Sequence, residues 1–211
     1  MQQPISAAKS REPIVLVVDD DEAIREALCD LLKSVGTDAM CFASTREMLD
    51  AKVPDRPGCI VLDVRLPGGS GLDLQAQLTK QGNRMPIVFM TGHGDIPMTV
   101  RAMKAGASDF LTKPFRDQDM LDAVAAAIDK DVARRLEMQA AEQAKLLADT
   151  LTAREKDVMA AVVRGLMNKQ IAGELGISEI TVKLHRGNVM RKMQVRSVAD
   201  LVRKVTLLEP T

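Results

Sequence analysis

Five short apolar runs, each followed by a segment of helical periodicity, restrict this chain more than any other feature. The runs are 14–18 (IVLVV), 38–42 (DAMCF), 59–62 (CIVL), 86–90 (PIVFM) and 109–112 (DFLT). Between them, 22–34 places Ile24, Leu28, Leu31 and Leu32 at helical spacing. Segments 45–51, 71–81 and 97–105 read as further helices, and another starts at Phe115. Strands that alternate with helices need crossover connections, which make neighbouring strands parallel. Runs this continuously apolar suit a sheet covered on both faces. The expected fold is α/β, a doubly wound five-stranded parallel sheet. Such sheets bind ligands at the carboxyl ends of their strands, so the residues closing each run carry the functional information.

The rest of the chain follows another pattern. No Gly or Pro occurs from Phe115 to Arg164, and 116–148 is expected to form one long helix or two nearly continuous ones. Its stripe of Ile128, Val132, Leu136, Ala140, Ala144 and Leu147 fits either a solvated spacer or a partner-facing helix. Beyond it, the run TARE from Thr152 to Glu155 is a capping box, a reciprocal pair that satisfies two orphan helix donors. Asn168 is expected to cap a second helix, Ser178 a third that reaches Met193, and Ser197 a fourth. Gly176 supplies a tight turn between the second and third. Helix, short Gly-containing turn and helix is a helix-turn-helix pattern. A length of 211 residues fits two small domains at roughly 100–200 residues each. The expected boundaries are 13–129, a helical linker at 130–148, and a small all-α domain at 149–211.

Charge divides along the same line. Lys+Arg and Asp+Glu balance at 29 each, yet 13–129 carries 12 against 18 and 151–211 carries 11 against 6. The basic end is the part suited to a polyanion. No uncharged apolar run reaches the ~18 residues of a membrane span, and the segment from Met1 to Pro13 lacks the apolar core of a signal peptide. A cytoplasmic protein with no membrane association is expected. Cys29, Cys41 and Cys59 lack metal-ligand spacing and are expected to be small core residues without a bridge. The absence of Trp and Tyr argues against stacking on single-stranded nucleic acid.

Asp19, Asp20 and Asp21 follow the first run, Asp63 the third, Thr91 the fourth and Lys113 the fifth. A parallel sheet brings them to one edge. Clustered carboxylates repel and need a cation, and oxygen ligands from two or three acids suit Mg²⁺. A Lys and a Thr hydroxyl opposite the metal offer charge and a donor to an anion. A carboxylate can accept a phosphoryl group. Asp21 reads as a helix N-cap. His93, on a Gly-flanked loop, is not expected to be a phosphodonor or ligand.

The runs VVDDDE, LDVRLPGGSG, MTGHGD and DFLTKPF resemble, in order and spacing, the receiver domain of bacterial response regulators. The resemblance implies a flavodoxin-like fold with Asp63 as phosphoacceptor. It implies Mg²⁺ held by Asp19, Asp20 and Asp63 with the backbone carbonyl of Arg65. It also implies phosphoryl contacts from Thr91 and Lys113, a switch formed by Thr91 and Phe110, and a cis bond at Lys113–Pro114. The run LTAREKDVM…GLMNKQIAGELGISEITVKLHRGNVMRKM is similar to the LuxR-type helix-turn-helix. Together they identify the chain as resembling the NarL/FixJ family, on its FixJ side.

On the third small helix, at ~100° per residue, Val182, Val189 and Met193 share the side expected to face the core. Ile180, Leu184, Gly187 and Arg191 share the opposite side, flanked by Lys183 and Asn188. A helix presenting Lys, Arg and Asn outward suits the major groove. The expected DNA-binding set is Lys169, Thr181, Lys183, Leu184, Arg186, Asn188, Arg191 and Lys192. Within it, Lys169, Arg186 and Lys192, with Arg196, are assigned to phosphates. Gly187 stands where the family often reads a base.

The expected function is a phosphorylation-dependent transcriptional regulator, not an enzyme. Its expected partners are a histidine kinase, double-stranded DNA, a second copy when phosphorylated, and RNA polymerase. The surface 96–107 with 109–112 and the last small helix are the expected dimer contacts. The alternatives are an Mg²⁺-dependent phosphatase and an output domain that binds protein. Against a phosphatase of the DxD type, Arg65 stands where a second Asp is wanted, two residues after Asp63.

Overall fold

The computed structural model describes residues 12–67, 69–92 and 96–208. Expectations placed on residues 1–11 and on His93 lie outside them. The described chain separates into two compact units that divide after Arg134.

In the first unit, strands β1 (Ile14–Val18), β2 (Asp38–Phe42), β3 (Gly58–Asp63), β6 (Ile87–Thr91) and β7 (Asp109–Thr112) form one sheet in the order β2-β1-β3-β6-β7. Every pairing in it is parallel. The helices are α1 (Glu22–Ser34), α2 (Thr45–Asp50), α3 (Gly71–Lys80), α4 (Ile96–Lys104) and the start of α5 (Asp117–Asp149). The order reverses between β1 and β3, so the crevice at the carboxyl ends of those strands is the topological switch point.

Strand alternation builds the core on both sides. Ile14, Leu16 and Val18 of β1 join Ile60, Leu62 and Phe89 on one face, under Met48 of α2, Leu74 of α3 and Ala102 of α4. Val15 and Val17 join Val61, Val88 and Met90 on the other, under Leu28 and Leu32 of α1 and Met120 and Val124 of α5. Each fully buried side chain of this size contributes roughly 1.5–3 kcal/mol of transfer free energy, which is why the central strands read as unbroken apolar runs.

Two local features differ from expectation. Asp63 and Thr91 are the last residues of their strands rather than the residues after them, because pairing continues through Asp63↔Met90 and Thr91↔Thr112. The loop after Asp63 also folds into a two-residue antiparallel pair, β4 (Arg65–Leu66) with β5 (Gly69–Ser70), too short to leave a periodic signal.

The cysteine expectation needs a larger correction. Cys29 of α1 and Cys41 of β2 are joined by a disulfide, and Cys59 stays free and buried. The packing of α1 on β2 places the two side by side, a relation that spacing along the chain does not express. Burial, with the nearby charge of Asp131, pushes the Cys59 thiol up to about 12.

The second unit is all helical: the end of α5, then α6 (Ala153–Val163), α7 (Asn168–Leu175), α8 (Glu179–Lys192) and α9 (Val198–Thr206). Its core gathers Ala148, Val158, Ala161, Ile171, Val182, Val189, Met193 and Leu201. Ala144 and Ala148 are buried while Leu136 is 61% exposed, so only the end of the α5 stripe packs into this unit. Thr152 and Glu155 form the capping box, and Ser178 and Ser197 cap α8 and α9 through their hydroxyls. Asn168 does not cap α7 as expected. Met167 holds the cap position, with its N–H donated to Gln170 Oε1 at 2.8 Å, and Asn168 is the first helical residue. Gly176 closes α7 at φ 65°, a left-handed conformation that costs glycine little.

Candidate functional site

The crevice at the ends of β1, β3 and β6 collects the acidic residues. Asp19 and Asp63 are buried, Asp20 is exposed, and carboxylate oxygens of all three lie within 4.8 Å of one another. The backbone fixes two of them. Asp19 Oδ1 accepts the N–H of Asp21 at 2.9 Å, and Asp63 Oδ1 accepts the N–H of Arg65 at 2.9 Å. Arg25 of α1 donates to the carbonyl of Asp19 at 2.8 Å, a support that the sequence pattern did not reveal because it depends on how the first turn of the helix folds back over the strand end. Asp21 caps α1 by accepting from Ala23 and Ile24, as its position implied.

Lys113 crosses the crevice. Its Nζ donates to Asp19 Oδ2 and to Asp63 Oδ2, each at 2.6 Å. The loop that carries it is set by the bond from Lys113 N–H to the carbonyl of Thr91, 2.7 Å, and the next peptide, Lys113–Pro114, is cis. Burial pushes the Asp19 carboxyl above its usual range even though Lys113 and the Asp21 N–H pull it down. Burial also pulls Lys113 down, but the two carboxylates together hold it above its ordinary value. Three carboxylates thus face one ammonium, a donor set of oxygens still short of positive charge. That composition fits a hard divalent cation, for which Asp19, Asp20 and Asp63 are the available side chains.

Gly71 explains how α3 starts so close to this site. A Cβ there would meet the Asp63 carbonyl oxygen at 2.5 Å, so only glycine lets the helix begin against the strand end. Thr91 is fully buried at the end of β6. Phe110 on β7 is half-buried with its ring 6.3 Å from that of Phe89, so the structure places it beside the core and two strands away from Asp63, across β6.

At the far end of β3, Asp131 of α5 is buried and accepts the N–H of Gly58 at 3.1 Å and Arg134 Nε at 3.0 Å. In the sequence it was one acid in a mixed-charge helix, and nothing marked it as buried.

In the second unit, Val182, Val189 and Met193 are buried, and Ile180, Lys183, Leu184, Gly187 and Arg191 are exposed, as the helical wheel required. Lys169 and Arg196 are exposed and Asn188 is half-exposed. Arg186 donates to Asn168 Oδ1 at 2.7 Å, which ties α8 to the start of α7. Thr181 is engaged with the Ser178 cap through both its N–H and its hydroxyl. Lys192, expected on DNA phosphates, is engaged within the unit. Its Nζ donates to Glu155 Oε2 at 2.6 Å and to the carbonyl of Thr150 at 3.0 Å. It closes α8 onto the capping box of α6, and with the Thr152 N–H it holds the Glu155 carboxyl down to about 2.

Known proteins share both halves. Residues 15–125 match the response regulator receiver domain, and residues 149–205 match the luxR family of bacterial regulatory proteins. Nodulation protein W of Bradyrhizobium diazoefficiens is 56% identical over 194 residues, covering 92% of this chain and 86% of that protein. The transcriptional regulatory protein FixJ of Azorhizobium caulinodans is 47% identical, covering 92% of each. Among solved structures, the response regulator StyR superposes with a TM-score of 0.80 at 51% identity, covering 92% of this chain and 98% of that one. Full-length FixJ from B. japonicum gives 0.58 at 39% identity, covering 93% and 97%. Among the described residues, no helix is long and apolar enough to cross a membrane. A receiver fold with an acidic crevice, followed by a LuxR-type helical domain, makes this chain a member of the NarL/FixJ family of response regulators, a phosphorylation-dependent transcriptional regulator.

Proposed function

We propose that Asp63 is the phosphoacceptor and that its phosphorylation by a cognate histidine kinase switches the second unit onto DNA. The observation that carries this reading is the bridge from Lys113 to both Asp19 and Asp63 at 2.6 Å. An oxygen of Asp63 attacks the phosphorus of the phosphohistidine. The P–N bond breaks as the P–O bond forms, and the departing imidazole takes up a proton. Asp19, Asp20 and Asp63, with the backbone carbonyl of Arg65, would hold Mg²⁺, which offsets the charge gathered on the phosphoryl oxygens. Lys113 exchanges its bond to Asp63 Oδ2 for one to a phosphoryl oxygen. Thr91 donates its hydroxyl to another, and Phe110 follows into the space this opens.

The switched surface comprises α4 and β7, where Ile96, Val100 and Met103 are exposed on one side of α4. Its pairing with a second copy would dimerise the chain, and two linked half-sites multiply affinity through effective concentration. The functional parts are the receiver at 13–129, the linker at 130–148 and the DNA-binding domain at 149–211. The protein works in the cytoplasm as a regulator rather than a catalyst, with RNA polymerase as a further partner. Thr181, Lys183, Leu184, Asn188 and Arg191 face base edges, and Lys169, Arg186, Lys192 and Arg196 contact phosphates. The test is DNA capture with the phosphorylated chain beside Asp63→Asn. Steep loss of binding with salt marks DNA as the target; an apolar protein target would lack it.

A further inference from the structure

The outward side of α8 carries two large apolar side chains among its polar ones. Ile180 is 80% exposed and Leu184 is 63% exposed, one turn apart. Gly187 and Arg191 continue the line, all within about 60° at the helical repeat. Large apolar side chains grouped on a surface mark an interaction site. The surroundings indicate the kind of partner. Arg191 ends the line with a positive charge, Lys183 is exposed beside it, and Lys169 is exposed on α7. A basic border suits a polyanion, and the patch is continuous with the face already assigned to DNA.

Gly187 gives an independent indication. Glycine inside a helix is destabilising relative to alanine, so its presence needs a reason. Among the described residues, no close packing at this position supplies one. A Cβ at Gly187 would meet no atom within 4 Å, and its φ is not positive. The α8 backbone at Gly187 is therefore open to a surface that approaches it closely. In the major groove, the apolar feature that an Ile or Leu can read is the C5-methyl of thymine.

We infer that Ile180 and Leu184 read thymine methyl groups, and that Gly187 lets the helix sit deep enough for them to do so. The inference rests on the DNA-binding reading and narrows it to thymine-containing half-sites.

The test begins with a randomised double-stranded pool, selected by the full chain after treatment with a small acyl phosphate and Mg²⁺. Each thymine of the selected duplex is then replaced in turn by uracil, which removes only the methyl. At one or two positions per half-site the wild-type protein should lose about three- to tenfold in affinity. Leu184→Ala or Ile180→Ala should lose a similar factor on the thymine duplex and show no further loss on the matching uracil duplex. Gly187→Ala should unfold at a higher temperature yet bind the selected duplex more weakly. Uracil substitution without effect, or an undiminished penalty in both variants, overturns the methyl readout while DNA binding stands. A pool that yields no enriched duplex overturns the DNA reading itself, and with it the inference.

Discussion

The Nζ of Lys113 lies 2.6 Å from Asp63 Oδ2 and, on its other side, 2.6 Å from Asp19 Oδ2. One ammonium therefore senses the state of the carboxylate proposed to be phosphorylated. Incubation with a small acyl phosphate and Mg²⁺ should add one acid-stable, base-labile phosphoryl group, seen by mass spectrometry. Asp63→Asn should abolish it. Lys113→Ala should still be labelled yet fail to dimerise in light scattering. Dimerisation of labelled Lys113→Ala at the wild-type level would remove Lys113 from the switch.

The bond from Lys192 to Glu155 should make the helical unit sensitive to acid. Glu155 is held at about 2 against an ordinary value of 4.5, chiefly by the Lys192 hydrogen bond and then by the Thr152 N–H. Its folded value lies below its unfolded value. Its stabilisation is therefore present above about pH 5 and disappears as pH falls toward 2. Thermal unfolding of the wild-type chain followed between pH 5 and 2 should show this loss for the helical unit. Glu155→Gln should be less stable at neutral pH and show a shallower slope over that interval. An unchanged slope would separate Lys192 from Glu155 in solution and return Lys192 to the pool of free cations.

Lys183 and Lys169 should behave differently on DNA. Lys183→Ala should cost about 1–3 kcal/mol at one base position and relax specificity there. Lys169→Ala should weaken binding evenly across sequences and lower the salt slope by about one unit. Competition among single-base variants of a selected duplex, repeated at several salt concentrations, measures both. Even losses from the two variants would make Lys183 a phosphate contact.

Asp131, near the middle of the long helix, ties it to the sheet by accepting the Gly58 N–H, and is itself held by Arg134. Asp131→Ala should leave that buried N–H without its acceptor, at a cost of about 1–3 kcal/mol. Urea unfolding of the receiver transition reads it. An unchanged midpoint would mean that water replaces the carboxylate.

The parallel sheet and the acidic crevice were legible because they depend on local pattern plus one topological rule. Continuous runs such as IVLVV must be buried on both faces, and parallel pairing then forces Asp19, Asp63, Thr91 and Lys113 to one edge. The outward face of α8 was legible for a similar reason, since helical repetition alone separates Val182 from Lys183. What escaped depends on which distant residues meet. The Cys29–Cys41 bridge needs α1 laid on β2, and the Lys192–Glu155 pair needs α8 folded back over the start of α6. Buried Asp131 needs a helix that crosses the end of β3. Cap chemistry falls between: Ser178 and Ser197 were evident, whereas Asn168 looked like a cap and is held by Arg186 instead.

The most direct test of the proposed switch is one titration of a selected duplex with three samples: the wild-type chain with acyl phosphate and Mg²⁺, the same chain without them, and Asp63→Asn with them. The first should bind at least tenfold more tightly than the other two, which should be alike. Equal affinity in all three, with labelling of Asp63 verified by mass in the first, would contradict control of DNA binding by Asp63.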